Sequence, residues 1–177
     1  MMITMRKLLL ISFFQFCFIA GVMAANSTED ALLQTEISNI KNPKLNVYSA
    51  GQPTKAQLKQ AKESGVKHIV NLRPRSEQDW DEKAYVNSLG MRYHHIPVAG
   101  PEDINQENAA KLEMALAKNR GEPILVHCAS GNRVGALVAL NEGVEHQDID
   151  AAITTGKQWG LTRLEPVVRE KLKELVE

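Results

Sequence analysis

Cysteine is almost absent from this chain, with only Cys17 and Cys128, and aromatic residues make up just 5% of it. No charge of either sign is in excess either, because 21 basic and 21 acidic side chains cancel. Each shortage excludes a class. Two cysteines cannot build a disulfide scaffold or a four-ligand zinc ribbon. A balanced charge argues against a general nucleic-acid binder, which carries a basic patch or a strongly basic composition. The sequence also shows no internal repeat and no low-complexity tract. What little aromatic content there is clusters: Phe13, Phe14, Phe16 and Phe18, all the phenylalanines, lie beside Cys17 in the first 24 residues, a segment with Arg6 and Lys7 but no acid.

That segment reads as a secretory signal peptide. A basic start leads into an apolar run from Leu8 to Val22, then Val22-Met23-Ala24 in the small-x-small position, so cleavage is expected after Ala24. The run is only about fifteen residues, short of the ~20 a spanning helix needs, and Ser12 and Gln15 interrupt it. Phe14-Gln15-Phe16-Cys17 lacks the small residues that precede a lipidated cysteine. The expectation is an exported protein, periplasmic in a Gram-negative source and otherwise secreted, with no membrane attachment after cleavage. Residues 1–24 are then the leader, 25–43 a polar lead-in, and 44–177 a single folded domain. Taking 24 residues from 177 leaves 153, two basic residues fewer and so two net negative charges, and Cys128 as the sole thiol. A domain of that size buries roughly 68–70% of its unfolded surface and needs no disulfide or metal to be stable.

Short β-rich runs alternate with helical patterns through the rest of the chain. Lys44 to Ser49 is the first expected strand. After Ala50-Gly51-Gln52-Pro53, Thr54 and Gln57 form a capping-box pair opening a helix that turns Leu58 and Ala61 inward and ends near Gly65. Val66 to Leu72 is a second strand, broken by Arg73-Pro74-Arg75. Ser76 and Asp79 start a helix through Trp80, Ala84 and Tyr85 to Gly90, and Met91 to Val98 is a third strand. Ile104, Ala109, Leu112 and Leu116 have the spacing of a buried helical face. Pro123 to His127 is a continuous apolar strand, of the kind covered on both faces of a parallel sheet. Val134 to Val144 is apolar nearly all round, which predicts a buried central helix. Two helices follow, one over Asp148 to Trp159 and one from Arg163 with Leu164, Val168, Leu172 and Leu175 inward. The alternation implies an α/β fold: a mostly parallel sheet of four or five strands flanked by helices.

Ligands of such sheets bind beyond the carboxyl ends of the strands. The loops there are Gly51-Gln52-Pro53, Arg73-Pro74-Arg75, Ala99 to Asp103, and Cys128 to Arg133. The last carries the strongest signal, Val126-His127-Cys128-Ala129-Ser130-Gly131-Asn132-Arg133-Val134-Gly135. A loop joining a buried strand to a helix N-terminus turns successive backbone N–H groups inward and adds the positive end of the helix dipole, which makes an anion site. Cysteines in such a field ionise more readily than ordinary thiols, which supplies a nucleophile at neutral pH. Gly131 allows a backbone turn that other residues resist, and Arg133 offers a planar fork for two oxygens of one anion. The plainer alternative is a buried structural cysteine with an arginine that only forms a salt bridge.

Tyr48-Ser49-Ala50-Gly51-Gln52-Pro53-Thr54, Val70-Asn71-Leu72-Arg73-Pro74, Ile96-Pro97-Val98, and Val126 to Arg133, in this order, resemble the phosphatase-like domain family named after beta-lactamase-hydrolase-like proteins. That family is similar in fold to the dual-specificity branch of the tyrosine phosphatases. The resemblance implies Cys128 as nucleophile, Arg133 as oxyanion clamp, and the amides of Ala129, Ser130, Gly131, Asn132 and Arg133 as the cradle. Two departures stand out. Tyrosine phosphatases place five residues between Cys and Arg, whereas four lie between Cys128 and Arg133, and Val134 stands where they carry Ser or Thr. The Cys-x4-Arg length resembles the active loop of rhodanese sulfurtransferases, which cradle a cysteine persulfide.

A phosphatase also needs a general acid for the leaving oxygen. The resemblance puts Asp103 in that place, with Glu102 second, while Asp is equally a preferred helix cap. It also implies that His127 tunes the cysteine, unless that ring is simply packed. Arg73 and Arg75 would add positive potential to the rim or be solvated loop charges, Gln52 would be a substrate contact or a turn residue, and Trp80 and Trp159 would pack. His94 and His95 are neighbours on a strand and should face opposite sides, so no metal is expected, and no cofactor. Three readings remain, in this order: a phosphate-monoester hydrolase working through a Cys128 thiophosphate, a thiosulfate-type sulfurtransferase working through a Cys128 persulfide, and a non-catalytic oxyanion-binding module. The expected partner is a small oxyanionic or phosphorylated substrate.

Overall fold

A computed structural model describes residues 31–176. The expected leader and its cleavage site lie outside the described residues. Five strands form one sheet: β1 (Lys41–Lys44), β2 (Val47–Ala50), β3 (His68–Asn71), β4 (Arg92–His95) and β5 (Ile124–His127), in the order β1-β2-β5-β3-β4. All pairs are parallel except β1 with β2. The α/β expectation therefore holds, and the five-stranded sheet is of the mostly parallel kind.

Among the described residues, the helices that connect and cover the strands are α1 (Lys55–Glu63), α2 (Glu82–Ser88), α3 (Gln106–Lys118), α4 (Asn132–His146), α5 (Ile149–Gln158) and α6 (Glu165–Val176). Alternation along each strand sends side chains to two separate cores. On β5, Ile124 and Val126 join one core with residues of α3, α4, α5 and α6, while Leu125 joins the other with Leu58 and Ala61 of α1 and Val86 of α2. Helix α4 is apolar on nearly every side because α3, α5 and α6 all pack on it. Its Gly135 is obligatory, since a Cβ there would lie 2.1 Å from the Leu161 nitrogen and 2.5 Å from the Gly156 oxygen.

The capping box at Thr54 and Gln57 forms as expected, and Asp148 caps α5 through the Ala151 N–H. Three local readings are corrected. The first strand is not Lys44 to Ser49: Leu45 and Asn46 make a hairpin turn, with Asn46 at φ +61, that separates the short edge strand β1 from β2. Ser76 and Asp79 do not start a helix. A single 3-10 turn covers Arg75–Glu77, and α2 begins at Glu82 because Asp81 accepts the Ala84 N–H. Leu175 points outward, 45% exposed, because α6 presents Val168 and Leu172 to the core instead. The polar lead-in also begins packing before Lys44, since Leu32 and Ile37 are buried in the α1–α2 core.

Candidate active site

The parallel strands deliver their following loops to one end of the sheet. Cys128 stands directly after the central strand β5 and is 1% exposed. The chain then turns at Gly131, whose φ of +83 is a left-handed conformation natural to glycine, and enters α4. The Gly131 N–H donates to Cys128 Sγ at 3.1 Å. A thiolate gains from that donor and from the first turn of a fifteen-residue helix behind it. Of the expected cradle, the Asn132 side chain is turned away: its Oδ1 accepts from the Thr162 N–H at 2.8 Å and the Leu164 N–H at 3.3 Å, fastening the loop to the α5–α6 connection.

Arg133 is fixed by three contacts. Nη1 donates to the Val98 carbonyl at 2.6 Å and to Glu77 Oε1 at 3.0 Å, and Nη2 donates to Glu77 Oε2 at 2.7 Å. A guanidinium has five N–H groups. The end-on pair is held by Glu77, which leaves the side-on pair, Nε–H and the second Nη2–H, as a fork for an oxyanion. The hydrogen bond from Arg133 holds the Glu77 carboxyl below the usual carboxylate range against a smaller opposing effect of burial, and the charges of Arg133 and Arg73 add to it.

A buried network lies beneath the loop. His127 Nε2 donates to Glu82 Oε1 at 2.8 Å, with both side chains inaccessible or nearly so. Asn71 Nδ2 donates to the same oxygen at 3.1 Å and to the Tyr93 hydroxyl at 3.0 Å, and Gln52 Nε2 donates to Glu82 Oε2 at 2.7 Å. Burial pushes the Glu82 carboxyl up, but the His127 hydrogen bond and charge, with Gln52 and Arg73, outweigh it and leave Glu82 below the ordinary 4.5. Burial and the nearby Glu82 charge push the Tyr93 phenol up to about 12, so it stays neutral. His127 is thus neither a simple packing residue nor a substrate contact. It ties the strand end before Cys128 to a buried carboxylate.

Two expected rim residues prove to be braces. Arg73 Nη1 donates to Gln52 Oε1 at 2.7 Å, Nη2 donates to the Glu77 carbonyl, and Nε lies 3.5 Å from Glu77 Oε2, an ion pair rather than a hydrogen bond. Gln52 spends its whole amide between Arg73, Glu82 and the Pro53 carbonyl. Both side chains are thus engaged in internal contacts, and Arg75 is exposed in its 3-10 turn. Asp103 is not the cap of α3, a role Asn105 takes by accepting the Asn108 N–H. Its Oδ2 instead accepts the Ala99 N–H at 2.7 Å, which closes the loop that starts at Arg133's partner Val98. Glu102 is exposed, with its carbonyl accepting from Asn105. His94 and His95 meet different partners, His68 at 3.4 Å and the Arg73 carbonyl at 2.8 Å. Trp159 is fully packed and Trp80 partly so.

The family described as DSP-PTPase phosphatase fused to NAD+ kinase matches residues 19–164. The chain belongs to this family. Among its relatives, the beta-lactamase hydrolase-like protein of Agrobacterium fabrum is 33% identical over 101 residues, 54% of this chain and 23% of that protein. The chain thus spans about a quarter of the length of the curated relatives it matches. A candidate phosphatase from Neisseria meningitidis Z2491 is 26% identical, with a TM-score of 0.63 over 77% of this chain and 97% of its own. A DUF442 candidate phosphatase from Shewanella putrefaciens CN-32 is 23% identical, with a TM-score of 0.62 over 82% and 97%. A fold likeness extends to a cysteine-to-serine variant of Pseudomonas aeruginosa TpbA in complex with pTyr, 18% identical, with a TM-score of 0.51 over 76% and 84%.

Within this phosphatase family domain, sequence reasoning missed Glu77, Glu82 and Asn39. Glu82 follows the true N-cap Asp81, so it reads as an ordinary first-turn acid. Glu77 lies in a loop that was expected to be helix. Asn39 belongs to the lead-in, yet its Nδ2 donates to the Ser130 carbonyl at 3.2 Å.

Proposed function

We propose that this protein is an exported phosphate-monoester hydrolase that works through a Cys128 thiophosphate. The observation that carries the proposal is the Gly131 N–H directed at Cys128 Sγ at the mouth of helix α4. A thiolate held by that donor attacks phosphorus while the side-on fork of Arg133 and the loop amides take the equatorial oxygens. The P–O ester bond breaks, and the leaving oxygen takes its proton from Asp103. Water then attacks the thiophosphate, Asp103 receives a proton from it, the P–S bond breaks, and inorganic phosphate leaves with Cys128 again a thiolate. The family and the pTyr-bound structural neighbour support a phosphorylated substrate.

One observation favours a second reading. The loop has four residues between Cys128 and Arg133, and Val134 brings no hydroxyl to help the thiolate leave in the second step. Such a loop suits a sulfane sulfur held on Cys128 and passed to a thiophilic acceptor. The two chemistries separate in one experiment. Mature protein and Cys128→Ser are assayed with an aryl phosphate and, separately, with thiosulfate plus cyanide. Cys128-dependent phosphate release supports the hydrolase and sinks the sulfur reading. Cys128-dependent thiocyanate does the reverse, and turnover of neither leaves an oxyanion-binding module. Export is tested by fractionating cells that express the full chain and finding the N-terminus of the processed protein, which should begin just after Ala24.

A further inference from the structure

We infer that Asn39, in the lead-in before the first strand, is a positioning residue that sets the direction of the N–H group facing the Cys128 sulfur. The inference deepens the reading of Cys128 as an anchored thiolate and rests on it. In a trans peptide the C=O and the following N–H point opposite ways, and the described residues contain no cis bond. The peptide joining Ser130 to Gly131 is held at both ends: its carbonyl accepts from Asn39 Nδ2 at 3.2 Å, and its N–H donates to Cys128 Sγ at 3.1 Å. A peptide flip would bring the Ser130 carbonyl round to the sulfur, replacing a donor with a repelling oxygen. Asn39 favours the unflipped state. The preceding peptide is held in the same sense, because the Ala129 carbonyl accepts from the Gln52 N–H at 3.3 Å, which turns the Ser130 N–H away from that side.

The lead-in is well placed to do this. Ile37 is buried, and the Ser38 carbonyl accepts the Gly51 N–H at 2.7 Å. Gly51 is squeezed between the two segments: a Cβ there would meet the Ala129 oxygen and the Ser38 oxygen, each at 3.0 Å. The lead-in, the β2 end and the cysteine loop are therefore stacked closely, with a Cβ at Gly51 requiring its neighbours to give way. Asn39 itself has φ +54, a left-handed conformation that Asn tolerates better than most residues, and from there its amide reaches Ser130.

Two variants test the idea without touching the core. Asn39→Gly keeps the left-handed backbone and loses the donor. Asn39→Asp keeps size and backbone preference but sets an acceptor against the Ser130 carbonyl. The readouts are the pH midpoint of Cys128 alkylation by iodoacetamide and the protection of that alkylation by inorganic phosphate. The midpoint should rise by roughly half a unit in Asn39→Gly and by more in Asn39→Asp, in line with one lost hydrogen bond. Phosphate protection should weaken by about threefold and about tenfold respectively. A merely structural role would lower the melting temperature and leave both readouts at wild-type values, and that result overturns the inference. The midpoint decides the matter whether or not the wild-type protein hydrolyses phosphate esters. Absence of turnover in the wild type therefore counts against the hydrolase reading alone.

Discussion

Arg133 and Asp103 hold opposite ends of one peptide group. The Val98 carbonyl accepts from Arg133 Nη1, and the Ala99 N–H of the same peptide donates to Asp103 Oδ2. The Arg133 guanidinium and the Asp103 carboxylate are thus spaced by the rigid width of a single amide.

Replacing Asp103 by Asn keeps that spacing, because an amide oxygen still accepts the Ala99 N–H, but removes the transferable proton. Hydrolysis of alkyl phosphates, whose leaving oxygen needs protonation, should fall about 100-fold or more, and aryl phosphates with acidic phenols should suffer less. Phosphate binding should stay at wild-type strength. An equal loss on both substrate classes would rule out the acid role.

Glu77 gives the site a pH signature. Its carboxyl is held below its ordinary value, chiefly by the Arg133 hydrogen bond. The stability this brings is fully present above the unfolded value near 4.5 and fades as pH falls through the lower folded value. Thermal melts of wild type and Glu77→Gln, taken from pH ~6 down to ~3, should therefore converge at the acid end. Parallel curves would show that the pair contributes nothing. At neutral pH Glu77→Gln should also bind phosphate less tightly, because Arg133 loses the partner that orients it.

Glu82 carries a larger load because it is buried and accepts from His127, Asn71 and Gln52. In Glu82→Gln the new amide N–H₂ must face at least one of those donors. The expected loss is about 3 kcal/mol, a melting-temperature drop of roughly 6–12 °C. Calorimetry or circular dichroism would measure it, and a drop under about 2 °C would mean that the network is not what holds His127.

Gly135→Ala tests the close approach of α4 to α5. The added methyl would overlap the Leu161 backbone, and backbone cannot move aside as a flexible side chain can. A loss of about 3 kcal/mol or more, or no soluble protein at all, is expected. A variant that melts within ~2 °C of wild type would contradict the helix packing described above.

The elements that sequence reading located well are those whose signal is local. The Thr54–Gln57 capping box needs three residues, and β5 with α4 announces itself by an apolar run meeting a glycine. Cys128, Gly131 and Arg133 were legible for the same reason. Reading failed where two local signals compete: Ser76 and Asp79 look like caps, but Asp81 has the better-placed carboxylate, so α2 starts later. The braces Glu77, Glu82 and Asn39 were invisible because each is a plain polar residue whose partner lies far along the chain. Arg73 and Gln52 were noticed but assigned outward, since nothing local reveals that each already has an internal partner.

The cysteine loop is short, but its fastenings come from Asn39, Gln52, Glu77, Val98 and Thr162, spread across almost the whole domain. The donor to the Cys128 sulfur comes from the loop itself, at Gly131, but the loop's shape is fastened from far along the chain. A chain still missing any of these segments lacks part of the set of contacts that holds the loop around Cys128. The geometry around Cys128 is therefore completed only when distant segments of the domain have docked, and a nicked or truncated chain should lose that geometry before it loses its helices.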